Sequence, residues 1–205
     1  MNDLVLQAPA AARQLFLLFH GVGATPRDLA PLGRRLADAY PHAAVVSVAA
    51  PDASDFGGGF QWFSVLGVTE ENRPARVQAT LPRFLAAVQH WQQRFHVAPQ
   101  ETVLVGFSQG AILSLAATQV DHPPMGSVVS LAGRFPSPPT QSARRVRIHL
   151  LHGDADPVVP AVHAKAAARE LQALGAHVTL DLFPGLAHGI SRAVEEKLLA
   201  LLSRD

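Results

Sequence analysis

Cysteine is absent from this chain of 205 residues. Its absence excludes disulfide bonds, thiolate metal sites and a cysteine nucleophile. A charge excess is also absent, because 17 basic and 16 acidic residues give a net charge of +1. Such a balance is not typical of proteins that bind nucleic acid or a charged membrane surface. We therefore expect no nucleic-acid partner, and the sequence indicates no metal site and no other cofactor.

Long hydrophobic runs are absent as well. The apolar run at residues 15–19 is too short for a signal peptide or a membrane span, and residues 1–3 carry no basic side chain. We therefore expect a cytoplasmic protein without stable insertion into a membrane. The length suits one α/β domain, residues 1–205, and is short for two domains.

Strand-like and helix-like segments alternate along the chain. Short apolar runs predict strands, and apolar residues at helical spacing predict the helices between them. The alternation predicts a mainly parallel central sheet flanked by helices, in which ligands bind at the carboxyl ends of the strands. Pro82 lies inside the second helix and predicts a kink there. The predicted strands are residues 15–19, 45–48, 102–105, 127–131, 148–151 and 178–182, and the predicted helices are residues 28–40, 74–95, 111–117, 161–175 and 194–202.

The strand at residues 102–105 leads into Gly-Phe-Ser-Gln-Gly, residues 106–110, which matches the pattern G-x-S-x-G. A strand, a tight turn and a helix in this order are the context of a nucleophile elbow, in which a strained turn exposes the serine. Glycine is expected at both ends of this pattern, because a side chain there would crowd the neighbouring strand or helix. The pattern alone is a weak signal, since a glycine-rich turn with an ordinary serine also fits it. Ser108 is the candidate nucleophile.

A nucleophilic serine needs an adjacent base, and in enzymes with this elbow the chain order is Ser, then Asp or Glu, then His. His188 follows the last predicted strand, at the edge where ligands bind, and is the candidate base. Three other histidines lie near the aspartates that could serve as the acid, and they fit less well. His152 precedes these aspartates in the chain, His163 lies on a predicted helix and His177 begins a strand.

Two aspartates compete for the role of the acid that orients the base. Asp154 and Asp156 both follow the strand at residues 148–151. We favour Asp156, because the Asp-Pro turn that it begins places it at the tip of the loop. Asp154 is then expected to be a turn residue that hydrogen-bonds its own loop.

An oxyanion hole needs two backbone N–H groups, one from the residue after the nucleophile and one from the loop after the first core strand. Gln109 follows the candidate serine, and Val22 lies in the loop His-Gly-Val-Gly, residues 20–23. These two residues are the expected donors. His20 is expected to be a buried, locally hydrogen-bonded residue that supports the loop.

Four motifs together resemble the phospholipase/carboxylesterase family of α/β-hydrolases, which includes acyl-protein thioesterases and small bacterial carboxylesterases. The motifs are residues 19–23, 106–110, 152–158 and 185–188, and the resemblance extends from about Gln14 to Leu202. It implies an α/β-hydrolase fold without a large cap domain. It also implies the triad Ser108, Asp156 and His188, and the oxyanion donors Val22 and Gln109.

Two further segments, residues 61–65 and 69–73, look closer to a bacterial esterase branch of this family. One loop departs from the thioesterase branch, which usually has His-Gly-Leu-Gly-Asp. Here the loop has His-Gly-Val-Gly-Ala and ends at Ala24. This departure weakens the inference of protein-thioesterase activity more than that of general esterase activity.

The expected function is that of a serine hydrolase, which cleaves a small-molecule carboxylic ester through an acyl-enzyme intermediate. The alternative is acyl-thioesterase or lysophospholipase activity on lipidated substrates. A third hypothesis is that the protein is a non-catalytic α/β-hydrolase that binds a ligand. Trp62 and Phe63, in the loop of residues 56–66, are the candidate substrate-binding residues of an acyl pocket. The competing interpretation is that they only cover the edge of the sheet. Formation of a homodimer is a further hypothesis.

Overall fold

The computed structural model describes residues 2–203, in which strands and helices alternate as the sequence predicts. The strands are β1 (Leu4–Gln7), β2 (Gln14–Phe19), β3 (Ala43–Val48), β4 (Asp52–Ala53), β5 (Phe60–Gln61), β6 (Thr102–Phe107), β7 (Ser127–Leu131), β8 (Arg147–Gly153) and β9 (His177–Phe183). The α-helices are α1 (Ala30–Ala39), α2 (Arg73–Phe95), α3 (Gln109–Ala116), α4 (Val162–Ala173) and α5 (Arg192–Leu202), with short 3-10 turns at Pro26–Leu29, Pro99–Glu101 and Ala117–Gln119.

The main sheet has the strand order β1-β3-β2-β6-β7-β8-β9, and β4 and β5 form a separate hairpin. All neighbours in the main sheet are parallel except β1, which pairs antiparallel with β3 at one edge. The prediction of a mainly parallel sheet flanked by helices is therefore confirmed. The predicted strands do not include β1. This strand has four residues and is only partly buried, so its conformation depends on pairing with a distant segment.

Strand β2 is an interior strand of the sheet, between β3 and β6, and is buried on both faces, as its continuous apolar run predicts. Leu15, Leu17 and Phe19 point into the cluster that packs under α2 and α3, whereas Phe16 and Leu18 point into the cluster under α1 and α5. Removing one such side chain from water contributes about 1.5–3 kcal/mol. The two layers of helices are therefore held to the sheet by the same short run.

Helix α2 is continuous from Arg73 to Phe95 through Pro82. Pro82 is exposed, and so is Gln78, whose carbonyl loses its helical partner because proline has no N–H. Water can hydrogen-bond that carbonyl, so the proline does not break the helix. Within residues 2–203, no helix is both long enough and apolar enough to cross a bilayer.

Two long segments leave the carboxyl ends of the strands: residues 49–72 between β3 and α2, and residues 132–146 between β7 and β8. The first contains only the small hairpin β4–β5 and the second contains no helix or strand, so residues 2–203 include no large cap domain. Phe19 of β2 pairs with Gly106 of β6, and the loops that follow these two parallel strands leave the sheet side by side.

The two glycines of the elbow lie where a side chain does not fit, as the sequence predicts. A β-carbon on Gly106 would lie 2.5 Å from the backbone of Ala111 in α3. A β-carbon on Gly110 would lie 2.1 Å from the carbonyl oxygen of Phe19. The first turn of α3 is therefore packed directly against the end of β2.

We predict that Gly110→Ala is strongly destabilising, because both sides of the contact are backbone and cannot rotate away. The loss in the free energy of unfolding should be about 3 kcal/mol or more, which chemical denaturation measures. Gly189→Ala is the matched control, since a β-carbon there meets nothing within 4 Å. The control should change stability by no more than about 1 kcal/mol. Equal stability of the two variants would contradict the packing argument.

Candidate active site

Ser108 occupies the turn between β6 and α3 with φ 52° and ψ −113°. Positive φ is uncommon for a residue with a side chain and costs about 1–3 kcal/mol. Two hydrogen bonds hold the turn in this conformation: the Ser108 N–H donates to the Leu131 carbonyl at 2.9 Å, and the Ser108 carbonyl accepts from the Ile112 N–H at 3.0 Å. The strained serine at the end of a strand is the geometry expected of a nucleophile elbow.

The structure brings Ser108, His188 and Asp156 into one chain of hydrogen bonds. Ser108 Oγ lies 2.9 Å from His188 Nε2, and His188 Nδ1 lies 2.7 Å from Asp156 Oδ2. An ionised carboxylate only accepts, so Nδ1 carries the ring hydrogen and leaves Nε2 free to accept the serine proton. The ring of Phe107 lies against the His188 ring at a centroid distance of 5.0 Å.

The Asp156 side chain is fully buried and is held by several donors. Its Oδ1 accepts from the N–H groups of Val158 at 2.8 Å and Val159 at 2.9 Å, while Oδ2 faces His188. Burial acts to raise the pKa of Asp156, but the hydrogen bonds from His188, Val159 and Val158 outweigh it and lower the pKa below 3.8. The carboxylate therefore stays ionised beside the imidazole.

Asp154 contacts a different loop from the one expected from the sequence. Its Oδ1 accepts from the Gly185 N–H at 2.7 Å, so its side chain crosses to the loop that carries His188 instead of bonding its own turn. Two backbone bonds run beside this contact, from the Asp154 N–H to Phe183 and from the Ala155 N–H to Leu186. Gly185 has φ 70°, and its turn ends close to Asp154 because β8 and β9 are parallel neighbours. The loops of the acid and the base are therefore joined.

The three other histidines considered as the base lie in different surroundings. His163 is the second residue of α4, and its ring contacts an Arg134 N–H at 3.1 Å. His177 is at the amino end of β9, the opposite end from Ser108. His152 does not contact Ser108, but its Nε2 lies 3.4 Å from Asp156 Oδ2.

The two expected oxyanion donors, Val22 and Gln109, lie next to the serine in the structure. Gly21, next to Val22, is so close that a β-carbon on it would lie 3.1 Å from the Cβ of Ser108. Gln109 follows Ser108 as the first residue of α3. Among residues 2–203, no backbone or side-chain group accepts a hydrogen bond from the N–H of Val22 or Gln109. Both N–H groups are therefore free for a ligand oxygen.

The side chain of Gln109 has a role that sequence reasoning missed. It is buried, its Oε1 accepts from the Trp62 N–H at 2.7 Å and its Nε2 donates to the Phe63 carbonyl at 2.7 Å. The residue beside the nucleophile thus fixes the segment after β5. The only sign of this role in the sequence is the long amide side chain of Gln109, and an amide alone does not show that it binds residues 62–63.

Trp62 and Phe63 are both buried, with 2% and 7% of their surface exposed. The Trp62 ring packs edge-on against Phe84 and Phe19, with centroid distances of 5.1 and 5.9 Å. It also lines a cavity of about 560 Å³ between residues 48–51 and α2. The lining of that cavity includes neither Ser108 nor His188. The assignment of Trp62 and Phe63 to substrate binding stays a prediction.

His20 is buried and locally hydrogen-bonded, as expected. The Ala50 N–H donates to its Nε2 at 3.1 Å, so Nδ1 carries the hydrogen that faces the Gly21 carbonyl at 2.8 Å. Burial lowers the pKa of His20 below 6.5, more than the Gly21 carbonyl and Asp28 raise it. The neutral ring links the loop of residues 20–23 to the end of β3.

A second missed contact lies across the loop that follows β7. Arg134 donates to both carboxylate oxygens of Glu70, at 2.9 and 2.6 Å. Hydrogen bonds from Arg134 and Arg73 lower the pKa of Glu70 to about 2. This pair ties the turn of residues 69–73 to the carboxyl edge of the sheet. Within residues 2–203, no group of three or more His, Asp or Glu side chains is arranged to hold a metal ion.

The structure has a mainly parallel sheet with a serine elbow, and an aspartate and a histidine lie on the loops after the last two strands. These features define the class of α/β-hydrolases. Within that class the chain belongs to the Phospholipase/Carboxylesterase family, whose profile matches residues 2–203. The resemblance inferred from the four motifs is therefore confirmed.

Two relatives and one solved structure support this family assignment. The chain is 43% identical over 190 residues to Esterase YpfH of Escherichia coli strain K12, which covers 92% of this chain and 82% of that protein. It is 33% identical over 110 residues to Acyl-protein thioesterase 1 of Gibberella zeae, covering 50% of this chain and 46% of that protein. The crystal structure of esterase PE8 superposes with a TM-score of 0.87 at 28% identity, covering 95% of this chain and 93% of that chain.

We predict that the two aspartates differ sharply in their effect on rate. Asp156→Asn should lower kcat on a p-nitrophenyl ester by about 10³–10⁴-fold, because the amide disturbs the tautomer of His188. Asp154→Asn keeps an acceptor oxygen for the Gly185 N–H and should change kcat much less. Thermal unfolding of both variants checks that they are folded. If Asp154→Asn loses more kcat at equal stability, the acid is misassigned.

We predict that His20 makes the protein less stable in mild acid. The unfolded chain protonates His20 near the ordinary pKa of 6.5, whereas burial lowers the pKa in the folded chain. Below that pH the unfolded state binds more protons, so the contribution of His20 to stability falls as the pH is lowered. The stability difference between wild type and His20→Asn should therefore shrink from roughly pH 7.5 to roughly pH 5 in urea unfolding. A difference that does not change with pH would refute the effect.

Proposed function

We propose that the protein is a serine esterase that hydrolyses small-molecule carboxylic esters through an acyl-enzyme intermediate. The observation that carries the proposal is the hydrogen-bonded chain from Ser108 Oγ through His188 to the buried Asp156 carboxylate. The Phospholipase/Carboxylesterase family and the 43% identity to an esterase support it. A protein that only binds a ligand has no physical need for these three groups at these distances.

The proposed reaction has two halves. Ser108 Oγ attacks the ester carbonyl while His188 Nε2 takes its proton, and His188 then gives this proton to the departing alcohol. A water molecule next attacks the acyl-enzyme and transfers a proton to His188. The carboxylic acid is released, and His188 returns the proton to Ser108. Asp156 holds His188 in the reactive tautomer. The N–H groups of Val22 and Gln109 stabilise the negative oxygen that forms in each half.

Thioester hydrolysis is the second candidate, because relatives of this chain are named acyl-protein thioesterases. Ala24, where that branch usually has aspartate, favours the ester reaction. A cytoplasmic location, a homodimer and contact of Trp62 and Phe63 with the acyl chain stay proposals.

We predict that a fluorophosphonate labels the wild-type protein at Ser108 and that Ser108→Ala abolishes both the label and turnover. The loss in kcat on p-nitrophenyl butyrate should be about 10⁴-fold or more, and His188→Ala should lose a comparable amount because the two residues act as a unit. Ser203→Ala is the matched control, since Ser203 is an exposed serine after α5. The control should keep wild-type labelling and turnover.

Retention of the label in Ser108→Ala would overturn the assignment of the nucleophile. Binding of the ester without release of p-nitrophenol by the wild-type protein would instead favour a non-catalytic role. A comparison of kcat/KM between acetyl, butyryl and octanoyl esters and a matching acyl-thioester separates the two candidate functions. A preference for the thioester would favour thioesterase action.

A further inference from the structure

His152 is a buried histidine that the proposed reaction does not use. It is the last residue but one of β8, and only 1% of its side chain is exposed. Its Nε2 lies 2.7 Å from the Val159 carbonyl oxygen and 3.4 Å from Asp156 Oδ2. Asp156 therefore has a histidine on each side, His188 towards the serine and His152 towards the interior.

The hydrogen bond to Val159 fixes the position of one proton. A carbonyl oxygen only accepts, so His152 Nε2 must carry a hydrogen, whatever the charge of the ring. This hydrogen points to Val159, so the 3.4 Å distance from Nε2 to Asp156 Oδ2 is an electrostatic contact and not a second hydrogen bond. Oδ2 accepts its hydrogen bond from His188 Nδ1 at 2.7 Å.

Val159 links His152 to the other oxygen of the same carboxylate. The Val159 N–H donates to Asp156 Oδ1 at 2.9 Å, and the Val159 carbonyl accepts from His152. The ring and the turn thus enclose the carboxylate from two sides. Because the Asp156 side chain is fully buried, water cannot replace a donor that is removed.

We propose that His152 is a positioning residue, which holds the Asp156 carboxylate so that Oδ2 stays on His188 Nδ1. The inference rests on the proposed function, in which Asp156 orients the base. His152 does this through Val159, whose carbonyl it binds and whose N–H donates to Asp156 Oδ1. A residue that only filled space would affect folding, but it would not affect the rate or pH dependence of the folded enzyme.

The decisive comparison is between His152→Phe and His152→Gln. Phenylalanine keeps a ring of similar size but has no N–H, whereas the glutamine amide returns a donor at a similar reach. On a p-nitrophenyl ester, His152→Phe should lower kcat by roughly 10–100-fold with KM nearly unchanged, because the base is held less accurately. His152→Gln should recover most of that loss.

The pH profile gives a second readout that a purely structural role would not change. In His152→Phe, the Val159 carbonyl loses the donor that holds it, so the Val159 N–H is held less firmly on Asp156 Oδ1. The carboxylate then interacts more strongly with the protonated form of His188. The acidic limb of kcat/KM should therefore move to higher pH by roughly half a unit or more, and His152→Gln should return it towards wild type. The other titratable ring near His152 is that of His163, whose pKa is lowered by burial and by Arg134.

His149→Phe is the matched control. His149 is also a buried histidine of β8, but it lies on the opposite face and its Nδ1 contacts Thr179 Oγ1 at 2.9 Å. This variant should lose stability while the acidic limb stays in place. If His152→Phe does not fold, His152→Asn takes its place, since its amide is one carbon shorter than that of glutamine and cannot reach the same acceptors.

Two results overturn the inference. In the first, His152→Phe has the kcat of the wild type and an unchanged low-pH limb of the kcat/KM profile at an equal folded fraction. In the second, the kcat and the pH profile of His152→Gln are no closer to wild type than those of His152→Phe. Failure of the proposed function is a separate outcome, in which the wild type neither turns over esters nor labels at Ser108. In that case the low-field proton resonance of the His188–Asp156 hydrogen bond decides, because it requires no turnover. An identical resonance in wild type and His152→Phe would then refute the role of His152.

Discussion

The contact between the start of α3 and the end of β2 is the constraint on which the site depends. Gly110 lies so close to the Phe19 carbonyl that no side chain fits between them. Phe19 also pairs with Gly106, so the elbow and the loop of residues 20–23 leave the sheet together. A serine on the elbow and an N–H from the neighbouring loop can then reach the same oxygen of a substrate. The positive φ of Ser108 is held by hydrogen bonds to β7 and α3 on either side.

The ionised state of Asp156 is the second physical requirement. A buried carboxylate without partners would take up a proton and could no longer orient a protonated imidazole. Here the amides of Val158 and Val159 and the ring of His188 supply donors to both oxygens. The result is a negative charge that is fixed in place and shielded from water, where its interaction with a developing positive charge on His188 is strong.

Side chains from the elbow and from the loop after β7 hold the long segment between β3 and α2. Gln109 bonds the backbone of Trp62 and Phe63, and Arg134 binds Glu70 further along the same segment. The first contact is buried, so its two hydrogen bonds have no competition from water. The second includes an exposed carboxylate, so screening by solvent weakens it. The segment is therefore held most firmly next to the nucleophile.

The sequence by itself determined the features that depend on neighbouring residues. The apolar run of β2 and the glycines of the elbow are local patterns, and the chain order of Ser108, Asp156 and His188 is visible in the sequence without any structure. Together they were enough to predict the parallel sheet and to select the residues that meet at its edge. Only the tertiary structure decided which distant groups each side chain contacts. The pairing of β1, the bond from Asp154 to Gly185, the clamp of Gln109 on residues 62–63 and the position of His152 behind Asp156 all join segments far apart in the chain. Their geometry follows from the register between strands and the packing of helices on the sheet, which no local periodicity encodes.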